Sequence, residues 1–148
     1  YPLVTGVQTC ALPIYINYSW RGDFSNDEVN VLHAEAFETR VFTESEWNWR
    51  DLTSRHSLGW VTAREDGLLV GFVNVPWDGC VHAWVQDTMV ARTHRNSGVG
   101  THLISEVVSG AKGAGCEWLH VDFAPGLEKF YIESCGFMPT GAGVMPLR

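Results

Sequence analysis

Long hydrophobic runs, an excess of basic charge and paired cysteines are all missing from this 148-residue sequence. No apolar run approaches the roughly 20 residues that a membrane-spanning helix needs. Asp and Glu number 17 against 10 Lys and Arg, and the net charge of −7 argues against a nucleic-acid or anionic-membrane partner. The sequence therefore predicts neither a membrane protein nor a nucleic-acid-binding one, and its length suits one domain with a single core.

The cysteines form no recognisable pattern. There is no C-x-x-C pair, and none of the six histidines stands at a metal-ligand spacing from a cysteine. We therefore expect reduced thiols, a cytoplasmic location and no metal site. The four positions are Cys10, Cys80, Cys116 and Cys135.

The first fourteen residues differ in kind from the rest. Residues 4–14, VTGVQTCALPI, resemble the conceptual translation of a common sequencing-library adapter, which is typical of a gene assembled from short reads of environmental DNA. A signal peptide is the alternative, but the stretch has no basic start and no proper apolar core. We therefore interpret residues 1–14 as a non-native extension without function, and residues 15–148 as the single domain.

Hydrophobic periodicity and turn residues predict the element order βααβββαβαβ, a mixed α/β sheet flanked by helices. Ser25 stands as a helix cap, Thr43 with Glu46 forms a capping-box pattern, and Asp66-Gly67 is a hairpin turn. The predicted strands are 15–20, 58–66, 67–77, 81–90, 116–123 and one or two short ones within 137–147, and the predicted helices are 25–37, 43–56, 98–115 and 125–136.

A glycine-containing loop, HRNSGVG at residues 94–100, joins a predicted strand to a predicted helix. Unpaired backbone N–H groups and the positive end of a helix dipole meet at such a point and favour an anion such as phosphate. The P-loop pattern fails because no Lys follows Gly100, and the dinucleotide fingerprint is weak because Leu103 takes the place of its third glycine. A turn without a ligand is the remaining alternative.

The residues of this loop resemble the R/Q-x-x-G-x-G/A loop of the GNAT acetyltransferases, and FYIESCGF at 130–137 resembles the later F-Y-x-x-x-G-F motif of that family. With the element order, the resemblance runs from about residue 15 to residue 147. It implies the GNAT fold with a mostly antiparallel central sheet, acetyl-CoA as cosubstrate, and direct acetyl transfer to an amine. The implied cofactor-binding residues are Met89, Val90, Arg95, Asn96, Ser97, Gly98, Val99, Gly100 and Thr101, with the pyrophosphate on the backbone N–H groups of 95–101 and Arg92 beside it.

Two catalytic candidates lie on the strand before this loop. By alignment with the family, the backbone N–H of Val90 would meet the acetyl carbonyl. Alternation along the strand predicts Asp87 as the lone charge in an apolar row, where burial would raise its pKa and suit it as general base. A bulge would break that alternation, and Asp122, His82 or a purely structural role for Asp87 stay open. The row consists of Val81, Ala83, Val85, Asp87 and Met89.

Tyr131 is the candidate general acid. In the family this Tyr commonly stands four residues before the Gly of the G-F pair, where this chain has Ile132. Tyr131 stands five before Gly136, which turns it by about 100° around an α-helix. A difference of one residue in helix length would restore it, and packing is the alternative role.

The acceptor side is predicted from residues 21–51, which the GNAT fold places beside it. This segment has eight acidic residues against three arginines, with interleaved aromatics. An acidic surface with interleaved aromatic side chains favours a cationic amine as acceptor, with an aminoglycoside antibiotic as the leading example. Ordinary solvated helix faces, a protein lysine or N-terminal acceptor, and a non-catalytic CoA-binding module remain as alternatives, and a homodimer stays open.

Overall fold

Five strands form one sheet in the computed structural model, which describes residues 15–148. Neighbouring strands are antiparallel from β1 to β4, whereas β5 runs parallel to β4. This confirms the expected mixed, mostly antiparallel sheet, and residues 1–14, interpreted above as an extension, lie outside the described part of the chain. In the order of the sheet the strands are β1 (Asn17–Trp20), β2 (Ser57–Glu65), β3 (Leu68–Pro76), β4 (His82–Val90) and β5 (Trp118–Val121).

Helices cover both faces of the sheet. On one face α1 (Asn26–Phe37) and α2 (Trp49–His56) enclose a core that includes Phe72 and Met89. On the other face α3 (Val99–Gly113) packs against Ala83, Val85 and their neighbours. Ser25 caps α1 as predicted, in a reciprocal capping box with Glu28. The two cores thus lie on opposite faces of the sheet, one beneath α1 and α2 and the other beneath α3.

The second helix begins later than predicted. The Thr43 N–H does donate to the Glu46 carboxylate (2.9 Å), but this contact closes a turn and not a helix. The cap is Asn48, whose side chain accepts from the Asp51 N–H (2.9 Å). The predicted hydrogen bond between Thr43 and Glu46 therefore forms, but the prediction that a helix begins at residue 43 was wrong.

The predicted closing strands at 137–147 are also wrong. Residues 137–148 form neither helix nor strand. Two prolines and two glycines fall within this stretch, and proline removes a ladder donor while glycine weakens a strand. The last helix is likewise reduced to a π-helical segment, Lys129–Ser134, and a short 3₁₀ turn, Arg92–His94, precedes the glycine loop.

Two buried asparagines fix α2 to α1. The side-chain oxygen of Asn26 accepts from the backbone N–H groups of Trp49 (2.5 Å) and Arg50 (3.3 Å). Asn30 accepts from the Trp49 indole N–H (2.8 Å), and both asparagine amides donate to the Trp47 carbonyl (3.2 Å each). The loop between the helices therefore returns along α1 to reach the start of α2.

Replacing Asn26 with Ala is expected to lower the free energy of unfolding by about 3 kcal/mol, because two backbone donors at the start of α2 lose a buried acceptor. Urea denaturation followed by fluorescence measures this. The matched control is Asn48→Ala, which removes an exposed cap of the same helix and should cost about 1 kcal/mol. Equal losses in the two variants would contradict the anchoring role of Asn26.

Candidate active site

The site is built around an opening between β4 and β5. The two strands pair from His82–Trp118 to Val85–Val121, and no further pair follows, although β4 continues to Val90. The hydroxyl of Tyr131, from the π-helical segment, donates to Thr88 Oγ1 (3.3 Å). The segment that carries Tyr131 thus contacts the half of β4 that β5 leaves unpaired.

The backbone of Val90 points into this opening. The Ala91 N–H donates to the Val70 carbonyl (2.8 Å), so these two residues form a hydrogen-bonded pair. Such pairs alternate with non-bonded ones along an antiparallel ladder, so the preceding pair, Val90–Gly71, directs its N–H and C=O groups away from β3. The Nε of Arg95 reaches the Val90 carbonyl from that side (3.4 Å). The Val90 N–H therefore faces the side where β5 no longer pairs with β4.

A β-bulge at Asp87 changes the face to which β4 directs its side chains. Asn74 pairs with Gln86 and Phe72 with Met89, which leaves two residues of β4 opposite one of β3. Asp87 has φ +57°, in the left-handed region. Residues before the bulge pack toward α3, whereas Met89 after it packs toward α1. The predicted single row from Val81 to Met89 is therefore wrong, and the bulge places Asp87 where the strand changes face.

Asp87 is half-buried, and burial raises the pKa of its carboxyl group above the usual value. The charged group that acts on it is His33 of α1, which lowers the same pKa in part. The His33 ring packs against Phe37 (centroids 4.9 Å apart), Phe42 (5.7 Å) and Trp49 (5.7 Å). The sequence did not single out His33, since no local pattern links α1 to a strand more than fifty residues away.

The glycine loop ends in an uncapped helix start. Gly98, with φ +89°, is the N-terminal cap residue of α3 and makes no side-chain cap, and the first turn holds no acidic residue. The first backbone hydrogen bond at this end of the helix is donated by the His102 N–H to the Gly98 carbonyl (3.0 Å). The preceding N–H groups of α3 have no acceptor within the helix, so they and the helix dipole form a site that suits an anion.

The two glycines of this loop have different surroundings. A Cβ at Gly98 would meet nothing within 4 Å, so this backbone is open to a ligand. A Cβ at Gly100 would lie 3.1 Å from the Phe130 ring, so this glycine also serves close packing against the π-helical segment.

Further contacts hold the loop against its neighbours. The Arg95 guanidinium donates to the Ala36 carbonyl at the end of α1 (3.4 Å), and the Arg92 N–H donates to the Glu35 carboxylate. Ser97 donates to the His94 carbonyl. The loop thus has a defined shape, and the Arg95 side chain links it to α1 and β4.

The π-helical segment explains how Tyr131 reaches the opening. A π-helix fits more residues into each turn than an α-helix, so the extra residue before Gly136 changes the direction in which Tyr131 points. Its side chain is 7% exposed, and burial raises the pKa of its phenol. Of the alternative bases, Asp122 is exposed beyond the end of β5, and His82 Nδ1 lies 2.7 Å from His120 Nε2 near the start of β4.

Within residues 15–148, no group of three or more His, Cys, Asp or Glu side chains is arranged to hold a metal ion. In the same part of the chain, no helix combines the length and apolarity needed to cross a bilayer.

A helix N-terminus open to phosphate lies beside an opening between two parallel strands that receives a free backbone N–H, and these features fit the class of CoA-dependent N-acetyltransferases. Residues 26–137 match the family model described as "Acetyltransferase (GNAT) family". The chain therefore belongs to the GNAT acetyltransferase family, which uses acetyl-CoA as its acetyl donor. No curated protein sequence matches it.

Solved structures share the fold at low sequence identity. The probable acetyltransferase SA2161 from meticillin-resistant Staphylococcus aureus is 19% identical, with a TM-score of 0.73 over 90% of this chain and 99% of that one. The aminoglycoside N-acetyltransferase AAC(6')-Iy in complex with CoA is 16% identical, with a TM-score of 0.72 over 94% and 98%. Ribosomal-protein-alanine N-acetyltransferase from Brucella melitensis biovar Abortus 2308 is 20% identical, with a TM-score of 0.70 over 90% and 100%.

Replacing Gly98 with Glu is expected to abolish binding of CoA, because the carboxylate would lie at the open helix start that suits an anion. Isothermal titration calorimetry with CoA measures this. Gly98→Ala is the matched control, since it introduces the same strain at φ +89° without the charge and should keep most of the affinity. Undiminished CoA binding by a folded Gly98→Glu variant would remove the loop from the site.

Proposed function

We propose that this protein transfers the acetyl group of acetyl-CoA directly to the primary amine of a small cationic substrate, with an aminoglycoside as the best candidate. The observation that carries the proposal is Asp87, a half-buried carboxylate at the bulge where β4 leaves β5. No hydrogen bond from the described residues contributes to its pKa. Such a group is suited to receive a proton from an ammonium group.

The residues present fit acetyl-CoA. The N–H groups of 95–101 are proposed to hold its pyrophosphate, because the start of α3 is uncapped and open at Gly98. The N–H of Val90 and the neighbouring backbone of Met89 are proposed to hold the acetyl end, since Val90 faces the opening. When bound, acetyl-CoA supplies an activated acetyl thioester.

Asp87 and Tyr131 take the two proton-transfer roles in this proposal. The acceptor amine must lose a proton to become nucleophilic, and a base with a raised pKa accepts it more readily. Burial raises the pKa of Asp87 in this way. Burial also raises the pKa of Tyr131, which keeps its phenol protonated at neutral pH and able to protonate the departing thiolate.

The acidic segment 21–51 is more neutralised than its composition suggests. Arginines pair with Glu28 (2.7 Å), Glu46 (2.6 Å), Asp51 (2.8 Å) and, at 3.5 Å, Asp23. An open cleft of about 470 Å³ beside the start of α1 is lined by two of the acids that have no arginine partner, Asp27 and Glu44. The negative charge of this segment therefore attracts a cationic acceptor at long range more than it binds one directly. In this proposal the carboxylate that contacts the acceptor amine is Asp87. Residues around the cleft are Asp23, Phe24, Ser25, Asn26, Asp27, Glu28, Glu44, Arg50 and Arg64.

A neighbouring structure supports the choice of acceptor. AAC(6')-Iy has been solved with a bisubstrate analog, CoA-S-monomethyl-acetylneamine, and shares this fold with a TM-score of 0.72. A protein lysine or N-terminus is the second candidate. It is favoured by the outer edge of β5, which pairs with no other strand of residues 15–148 and carries Trp118 at 56% exposure. An extended peptide could add to such an edge as a strand.

The test of the function is thiol release from acetyl-CoA with a panel of acceptors: kanamycin-type and apramycin-type aminoglycosides, polyamines and lysine-bearing peptides. We expect turnover with aminoglycosides and a KM for them that rises with ionic strength, because exposed charges are screened over roughly 8 Å at physiological salt. If only the peptides are acetylated, the acceptor is a protein amine and not an aminoglycoside. Binding of CoA without turnover of any amine would indicate a non-catalytic module.

Asp87→Asn is expected to reduce kcat by about a hundredfold while CoA affinity stays unchanged, in the usual range for an acid–base group. In the wild type, activity should fall as the pH drops through the raised pKa of Asp87, since protonation removes the base, and the variant should lack this loss. Asp122→Asn, at an exposed position, is the control and should behave as wild type. Normal turnover of Asp87→Asn from pH 6 to 9 would exclude Asp87 as the base.

A further inference from the structure

Two carboxylates from distant parts of the chain hold the short 3₁₀ turn, Arg92–His94, from which the glycine loop continues. The Arg92 N–H donates to the Glu35 carboxylate of α1. His94 Nε2 forms a hydrogen bond and an ion-pair contact with Glu65 Oε1 at the end of β2. The turn is thus tied to a helix and to a strand just before the residues that suit an anion.

His94 is the anchoring side chain of this loop. Its side chain is 15% exposed, whereas the other residues of 92–98 are all exposed. Because an ionised carboxylate only accepts hydrogen bonds, Nε2 carries the proton that faces Glu65. Thr93 Oγ1 lies 2.8 Å from Nδ1 and can pair with it in either charge state of the ring. Both ring nitrogens therefore have a partner, which fixes the orientation of the imidazole.

The backbone of His94 carries this anchoring into the glycine loop. Its N–H donates to the Ala91 carbonyl (2.9 Å), and its carbonyl accepts from the Ser97 hydroxyl. Farther along, Asn96 has φ +59° and Gly98 has φ +89°. Left-handed residues in a turn direct successive N–H groups toward a common point, where an anion binds. The place of His94 therefore bears on the direction of the N–H groups that follow it.

The two carboxylates have opposite effects on a nearby anion. Their negative charge repels a phosphate, which by itself would weaken binding. Their hydrogen bonds to the turn order the loop, and a loop that is ordered before binding loses less conformational entropy when the ligand arrives. Substitutions that separate the charge from the hydrogen bond can therefore distinguish the two effects.

We propose that Glu65, acting through the His94 imidazole, is a positioning residue for the pyrophosphate of CoA, and that Glu35 acts in the same way through the backbone of Arg92. Each orders the loop before CoA binds, without contact with the cofactor. This inference rests on the proposed placement of the pyrophosphate at residues 95–101. It adds β2 and α1 to the elements that determine the affinity for CoA.

The first experiment compares Glu65→Gln with Glu65→Ala. The Gln amide oxygen can still accept from His94 Nε2 although the negative charge is gone, whereas Ala loses both the charge and the acceptor. We expect Glu65→Gln to bind CoA at least as tightly as the wild type, and Glu65→Ala to bind it about tenfold more weakly. Isothermal titration calorimetry with CoA alone measures both affinities, and thermal unfolding verifies that each variant is folded.

The matched control is Asp66→Asn, which removes a carboxylate from the next residue of the chain. Asp66 is exposed in the hairpin turn with φ +49°, a conformation that Asn also adopts. This variant should bind CoA as tightly as Glu65→Gln does. Glu35→Gln and Glu35→Ala repeat the comparison at the Arg92 N–H, and they carry the test if Glu65→Ala does not fold.

Two further readouts separate loop order from overall stability. Without CoA, hydrogen exchange of the His94 amide, which bonds to the Ala91 carbonyl, should be faster in Glu65→Ala than in Glu65→Gln at equal melting temperature. With an acceptor that is acetylated, Glu65→Ala should raise the KM for acetyl-CoA and leave kcat unchanged, because the order of the loop affects binding and not the chemical step.

Equal CoA affinity of the Gln and Ala variants at either position would overturn the positioning role of that glutamate, because the hydrogen bond would then contribute nothing. If the wild type binds CoA at this loop but acetylates no amine, the proposed function fails, and the calorimetric comparison still decides the positioning role. If Gly98→Glu leaves CoA binding undiminished, the positioning role fails together with the proposed pyrophosphate site.

Discussion

The bulge in β4 is the constraint on which the rest of the site depends. One extra residue opposite β3 reverses the faces of the strand at Asp87, just past the point where pairing with β5 ends at Val85–Val121. With a regular ladder the side chain at 87 would join the core under α3, and continued pairing with β5 would occupy the N–H of Val90. A left-handed φ at a residue other than glycine costs of the order of 1 kcal/mol or more and persists where surrounding structure enforces it.

Helix α1 connects the two halves of the site. Near its start, Asn26 and Asn30 hold α2 through buried hydrogen bonds. At its end, the Ala36 carbonyl accepts from Arg95, and Glu35 accepts from the backbone of Arg92. Between these anchors the helix brings His33 into the electrostatic reach of Asp87. One helix thus fixes α2 and the glycine loop relative to each other.

The ion pairs between side chains, more than the number of charged residues, decide where this protein carries unbalanced charge. Four of the eight acidic side chains of residues 21–51 pair with arginines, and such ion pairs near the surface contribute little to stability. Asp87 pairs with no arginine among the described residues, and burial is the largest cause of its raised pKa. Its chemistry therefore follows from desolvation. A count of charges along the chain does not reveal this difference between exposed and buried carboxylates.

The sequence by itself determined the features that a few neighbouring residues control: the capped start of α1 at Ser25, the turn at Asp66-Gly67 and the uncapped start of α3 at Gly98. These depend on local hydrogen bonds and on backbone conformations open to few residue types. Only the tertiary structure decided that β4 bulges at Asp87 and that a π-helical segment directs the Tyr131 hydroxyl to Thr88. It also decided that His33 of α1 packs against Phe37, Phe42 and Trp49. Each depends on contacts between residues distant in sequence, whose packing free energy outweighs local preference for strand or helix.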